Sequence, residues 1–476
     1  MIVLSVLFAF IMILLAVLLL NTALQTRSAR ALKGEHPTFT DAELESYGKT
    51  FSRMLQCATV SVKDSYDDTE FAKLRRVVEE DFPLLHQKAE RRILADDCWL
   101  YKIPGKDPSR SILLMSHHDV VPADTDWTMP AFDGIIRDGK VDGRGAADTK
   151  GSLCGILFAA EEMLRDGITP PVNLYIVSSH NEELGGDGMP AVLEYCRENG
   201  VTFEVILDEG GAIVEPPLAG MDCEMCAMVA VHEKGRLKLK CTVKNESSHV
   251  SLTAFKGNPV ERMSQFIQEI TTKNVFIRRL HPQTRGMFTA LAPYCKPPMK
   301  ILFSNLWLFG GLLTGILPKL NATAGGMVGT TCNFQEIKGS VTGKVCTASV
   351  MLRNINEEDL KADVAAFKAV ADKYGITLET ERDEYYAPAN MDSPAYRYTF
   401  DCLSKVFPRF PAAPYILPAG TDAWRLTPVC DCVLRFAPTR MSKQQLGSIH
   451  AADENLDISA VAEAAAFYKY FVENYR

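Results

Sequence analysis

The chain has 476 residues, too many for one ordinary hydrophobic core, so two domains are expected. Hydrophobic residues at 47% and charged ones at 23% exclude a disordered or fibrous protein. Lys and Arg number 51 against 59 Asp and Glu, a net charge of −8, and no long basic stripe is present, which argues against a nucleic-acid partner.

The first element in chain order suits a membrane. From Ile2 to Leu20 no residue is charged, and at about 1.5 Å per residue this stretch nearly spans a hydrocarbon layer of about 30 Å. Residues 1–22 are read as an uncleaved transmembrane anchor rather than a signal peptide. The apolar run is longer than a usual signal core, no charged residues precede it, and no small-x-small cleavage site follows. Arg27, Arg30 and Lys33 come next and, taken alone, would keep the rest of the chain cytoplasmic. A polar linker fills 23–39.

Residues 40–233 alternate strands and helices. Expected strands are "SILLMSHHDVV", "VNLYIVSSH" and "FEVILDEGG". Between the first two, Leu153, Ile156, Leu157, Ala160 and Leu164 recur at helical spacing, and Gly167 supplies a stop. This βαβ grammar predicts an α/β catalytic domain with a doubly wound, mostly parallel sheet.

From about Lys234 the pattern changes to strand "GRLKLKCTVKN", helix Pro259 to Ile270, strand "TASVMLRNI", helix "NEEDLKADVAAFKAVADKYG" and strand "ITLETERDEYY". These five elements are fitted to the six-element β-α-β-β-α-β order, which predicts an inserted ferredoxin-like α+β lid or dimerisation domain over 234–386, with the catalytic domain resuming over 387–476. Within the insert, "MFTALAPYCKPPMKILFSNLWLFGGLLTGIL" is unusually apolar. It is long enough to cover a pocket, pack at an interface or touch lipid; Lys296, Lys300 and the Pro pair between them argue against a second span. The 13 cysteines are odd in number and scattered, which suits free buried thiols. The lone C-x-x-C of Cys223 and Cys226 lacks the second pair that a structural zinc needs.

Several segments end in ligand-type side chains: His117, His118 and Asp119; Glu182 and Glu183; Asp208 and Glu209; and Asp148 just before a helix. In an open α/β sheet such strand ends converge on one edge. Adjacent carboxylates are costly to bury alone, so the convergence predicts one or two divalent metals. Residues two apart in a strand share a face, which makes His117 a ligand oriented by Asp119 while His118 points away. Between Asp208 and Glu209 the residues alone leave the ligand open.

The motifs "SHHDVVP", "GRGAADTKG", "NEELGG", "LDEGG" and "SIHAADENL", in this order, resemble those of the co-catalytic zinc peptidases and aminoacylases, the superfamily of glutamate carboxypeptidase and carnosine dipeptidase. With "SNLWLF", the chain looks most like the branch of carboxypeptidase S and the N-fatty-acyl-amino-acid synthase/hydrolases. The resemblance implies two Zn2+ per subunit, with Co2+ or Mn2+ also able to occupy such sites. Asp148 would bridge, His117 and Asp208 would complete one shell, and Glu183 and His450 the other. Glu182 would be the general base.

The resemblance further implies that His249, in "NESSHVS", reaches a partner subunit's site in a homodimer and that Asn333 contacts substrate. Arg353 or Arg425 would grip a substrate carboxylate, although "GTDAWRL" sets Arg425 one residue later than the family's arginine and Asn181 stands where the family has Asp. For Asn333 the alternative is an exposed loop amide, and for either arginine a surface ion pair. The implied activity is hydrolysis of an amide beside a free carboxylate, in a short peptide or an N-acyl amino acid. A non-catalytic receptor-like relative is the competing class, disfavoured because every ligand position is kept. A deaminase lacks its H-x-E and P-C-x-x-C pattern. The side of the membrane stays open: the positive flank points to the cytoplasm, the resembled branch to the vacuole or exterior.

Overall fold

A computed structural model describes residues 2–27, 29–245, 257–273, 275–320, 322–340 and 343–476. The chain starts with helix α1 (Ile2–Thr26), of which only Leu18 and Thr22 are buried. Helix α2 (Asp41–Leu55) follows, started by a capping box between Thr40 and Glu43.

Then come β1 (Glu90–Leu94), β2 (Cys98–Ile103), β3 (Asp107–His117), helix α3 (Gly151–Arg165), β4 (Val172–Ser179), β5 (Ile206–Asp208), β6 (Ile213–Val214) and β7 (Cys226–Glu233). Every residue of β4 is buried, as expected for a strand covered on both faces. β3 pairs with β4 in parallel, setting His117 opposite Ser179, so the ends carrying His117 and Glu182 finish together.

The next segment holds β8 (Arg236–Lys244), α4 (Pro259–Thr272), α5 (Met299–Ser304), α6 (Leu306–Leu320), β9 (Thr331–Gly339), β10 (Val345–Arg353), α7 (Glu357–Lys373) and β11 (Ile376–Glu384). Its four strands form a separate antiparallel sheet in the order β9-β10-β8-β11. Phe266 of α4 and Phe367 of α7 pack on the sheet's apolar face with Leu239, Cys241 and Val350. The apolar run of the insert is resolved into helices Pro282–Leu291, α5 and α6, whose core reaches Cys226 and Met228 of β7.

The chain returns through β12 (Ala412–Leu417), β13 (Val433–Arg435), β14 (Arg440–Met441) and helix α8 (Ile458–Glu473). The main sheet runs β1-β2-β4-β3-β5-β13-β7-β6-β14, with β12 on β7. It is mixed, where the sequence pattern predicts a mostly parallel one. β1 and β2 are antiparallel, as are the junctions of β7 with β13 and β6. Helices α3 and α8 stack closely: a Cβ at Gly155 would meet Ala464 Cβ at 3.2 Å. All 13 cysteines are free thiols.

Candidate metal centre

The site grows from three sheet strands and two loops. His117 ends β3, Glu182 and Glu183 form a 3-10 turn just past β4, and Glu209 follows β5. Asp148 lies in the loop before α3, and His450 comes from the segment after β14 with a φ of 60°.

Asp148 sits between the two imidazoles. Its Oδ1 is 3.0 Å from His117 Nε2 and its Oδ2 3.1 Å from His450 Nε2. Each imidazole has a second carboxylate: Glu209 Oε2 lies 3.4 Å from His117 Nε2, and Glu183 Oε1 lies 3.3 Å from His450 Nε2. Two donor sets result, His117–Asp148–Glu209 and Asp148–Glu183–His450, each with its ligand atoms within 4.8 Å of one another and sharing Asp148.

The resemblance implies Asp208 in the first set, while the residues alone leave it open between Asp208 and Glu209. The structure brings Glu209 there instead. Asp208 is the last residue of β5, and its Oδ2 accepts the backbone N–H of Ala423 at 3.1 Å. Its neighbour therefore faces His117.

The surrounding groups hold these ligands in place. Asp119 accepts the N–H groups of Glu182 and Glu183 at 3.1 and 3.2 Å, while its Oδ1 lies 3.3 Å from His117 Nδ1. One carboxylate thus fixes both the imidazole and the turn carrying the glutamate pair. His118 turns away, stacking on Trp99 at 4.2 Å. Sequence reasoning missed Glu454: fully buried, it accepts the N–H groups of Gly145, Ala147 and Asp148 at 3.0, 2.7 and 3.0 Å and a 2.7 Å bond from Arg144. Gly145 turns this loop at φ +85°, where a Cβ would meet Val120 Cγ1 at 2.5 Å. Glu454 lies inside the motif "SIHAADENL", but nothing in that string says where its carboxylate points.

Electrostatically the cluster calls for positive charge. Burial pushes Glu182 well above the ordinary carboxylate range, Asp208 up to about 7, Glu209 up to about 8 and Asp422 up to about 6. Hydrogen bonds to Asp148 and Glu183 raise the His450 imidazole to about 10. Glu183 Oε1 is buried, and its near polar neighbour is the same His450 Nε2 at 3.3 Å. Mixed imidazole and carboxylate donors converging in two sets on one shared aspartate fit divalent metal ions.

A cavity of about 830 Å³ opens over the site, lined by Glu182, Glu183, Asp148, Glu209 and His450. Arg425 also lines it, stacked on Trp424 at 4.7 Å and donating to Gly185 O at 2.9 Å. Arg353 is not among the lining residues; its guanidinium donates to Lys234 O and Ala419 O at 3.1 and 2.9 Å. Arg236, which sequence reasoning missed, lines the cavity from the first residue of β8 and keeps a buried, unpartnered Nε. Asn333 lies on β9 opposite Met351, away from the lining. His249 lies outside the described residues.

The model of Peptidase family M20/M25/M40 matches residues 113–474. The chain belongs to that family. It is thereby a metallohydrolase acting on C–N bonds, in a family that depends on two metal ions. Among curated proteins it is 29% identical over 426 residues to a probable carboxypeptidase S-like 2 of Dictyostelium discoideum, covering 86% of this chain and 81% of that one. It is 26% identical over 481 residues to the N-fatty-acyl-amino acid synthase/hydrolase PM20D1 of Xenopus tropicalis, covering 98% and 93%. Its fold is similar to that of the M20 family metallo-carboxypeptidase Sso-CP2 of Sulfolobus solfataricus, with a TM-score of 0.63 at 17% identity over 90% of this chain and 98% of that one.

Proposed function

We propose that this M20/M25/M40 family member hydrolyses the amide bond next to a free carboxylate in short peptides, as a carboxypeptidase or dipeptidase. The observation that carries the reading is Asp148 shared between two imidazole–carboxylate sets, with Glu182 beside them in neither set. His117, Asp148 and Glu209 would hold one ion and Asp148, Glu183 and His450 the other, zinc by the donor chemistry. When bound, such ions supply Lewis acidity, lowering the pKa of water toward about 7 and polarising the scissile carbonyl.

The chain's own groups do the rest. Glu182 takes the proton of the attacking water at its carboxylate and passes it to the leaving nitrogen. Asp119 keeps His117 and the 182–183 turn in register. Arg425 and Arg236 face the cavity as candidates for the substrate carboxylate, which a guanidinium binds through two parallel hydrogen bonds. Following the resemblance, His249 of a second copy would donate to the developing oxyanion in a homodimer, and α1 would anchor the enzyme in a membrane.

A second reading, an N-acyl-amino-acid amidohydrolase, is favoured by Leu184, Leu417, Met441, Leu446 and Ile449 along the cavity. The test uses the full chain in detergent, chelated and then refilled with zinc, on Gly-Leu and benzyloxycarbonyl-Gly-Leu. Zinc-restored release of leucine that falls by ~10²–10⁴ in Glu182→Gln supports the proposal. Metal-loaded protein releasing no amino acid from peptides or acyl amino acids overturns it.

A further inference from the structure

A second cavity of about 620 Å³ abuts the catalytic one and shares Met441 and Leu446 with it. Pro216, Pro217, Leu218 and Met221 give it an apolar wall. Its two charged lining residues, Glu215 and Lys443, pair with each other at 3.3 Å. A groove with its charges mutually neutralised that adjoins the catalytic cavity suits a hydrocarbon chain.

The same wall is tied to the apolar helices. Lys296 N–H donates to Gly220 O and Asp222 N–H to Tyr294 O, each at 2.7 Å. Helix α5 then leads to Asn305, which is fully buried against α1. Its Nδ2 donates to Leu18 O at 3.2 Å and Thr22 Oγ1 at 3.0 Å, and its Oδ1 accepts from Asn21 Nδ2 at 2.9 Å and Trp307 Nε1 at 3.2 Å. These bonds couple α1 to the folded body and set Trp307 level with the inner end of the apolar stretch, the depth that indole rings favour in bilayers.

From there α6 shows a continuous apolar face. Trp307, Leu308, Leu312, Ile316 and Leu320 are 39% to 64% exposed and follow helical spacing. Lys319 is the only charged side chain of the helix. At about 1.5 Å per residue α6 is roughly 22 Å long, too short to cross about 30 Å of hydrocarbon. It suits lying in the surface of the bilayer that α1 enters. Just past α6, Thr323 lines the catalytic cavity.

We infer that α6 lies in the bilayer beside α1 and that the groove of Pro216–Met221 receives the acyl chain of a long-chain N-acyl amino acid drawn from that bilayer. This rests on the amidohydrolase reading of the site and names its acyl side. The occupant of the α6 face is phospholipid, because the face is continuous through Asn305 with a helix long and apolar enough to cross a membrane.

The test uses the full chain reconstituted in phosphatidylcholine vesicles, with oleoyl-leucine in the vesicles and acetyl-leucine in water. Ala219→Trp, at an exposed position lining the groove, and the paired change Leu312→Glu with Ile316→Glu are each expected to lower the oleoyl-to-acetyl turnover ratio at least tenfold. Independently of any loss of fold, brominated phosphatidylcholine should quench an indole signal that Trp307→Phe removes. An unchanged ratio in either variant, or an unquenched Trp307, overturns the inference. Cleavage of acetyl-leucine without oleoyl-leucine also overturns it while the amidohydrolase reading stands. Cleavage of neither, with peptides also untouched, defeats that reading itself.

Discussion

Glu454 accepts the backbone N–H of Asp148 at 3.0 Å, so a residue far along the chain sets the carboxylate that both donor sets share. The same carboxylate takes Gly145, Ala147 and Arg144, so all its partners are donors. Glu454→Gln would turn an amide N–H₂ toward one or more of them. We expect a loss of about 2–4 kcal/mol in stability, since a buried ion pair would lose one partner. Metal affinity should fall by ~10–100-fold. Thermal unfolding and metal titration of the variant check both.

Asp208 and Glu209 make a paired test of the geometry. Asp208→Asn keeps an oxygen for Ala423 N–H and should retain two metals per chain. Glu209→Gln removes a charged donor beside His117 and should hold about one, with activity falling in step. Elemental analysis of the two purified variants separates them; the reverse pattern would return the ligand to Asp208.

Metal removal should destabilise the fold and take up protons. Anything that binds only the folded state raises its apparent stability, so chelation should lower Tm. Without metal, Asp148 and Glu183 hold His450 up to about 10, above pH 8, so the imidazole gains a proton as the ion leaves. Calorimetric chelation at pH 8 in two buffers of different ionisation enthalpy should show that uptake. No buffer dependence would contradict it.

Lys234 carries a pH dependence outside the site. Fully buried, its Nζ donates to Gly329 O at 2.8 Å and Thr331 Oγ1 at 3.2 Å. Burial, aided by nearby Arg353, lowers its pKa from 10.5 to about 7. Between those values the unfolded chain binds more protons than the folded one, so this group's contribution to stability rises with pH. Relative to Lys234→Met, the wild-type Tm should therefore gain from pH 7 to pH 9 with metal kept saturating. A constant difference between the two proteins would refute the assignment.

Much of the scaffold was legible because it follows local periodicity. Helix Gly151–Arg165 and strands Asp107–His117, Val172–Ser179 and Arg236–Lys244 lie where the apolar spacing predicts them. The sheet's antiparallel junctions were not legible, since a strand's own pattern does not say which way its neighbour runs. Among the site residues, His117, Asp148, Glu183 and His450, which lie far apart in the chain, come together in the structure. Arg236 escaped notice because it opens an ordinary alternating strand.

The sequence by itself determined which residue types were available and at which strand ends, through the two-residue period of strands and the order of the motifs. Tertiary structure decided which of two adjacent acids faces His117, which arginines reach the cavity, and that Glu454 grips the Asp148 loop. Those outcomes depend on hydrogen bonds between segments far apart in the chain, such as Ala423 to Asp208 and Asp148 to Glu454. No local pattern encodes them.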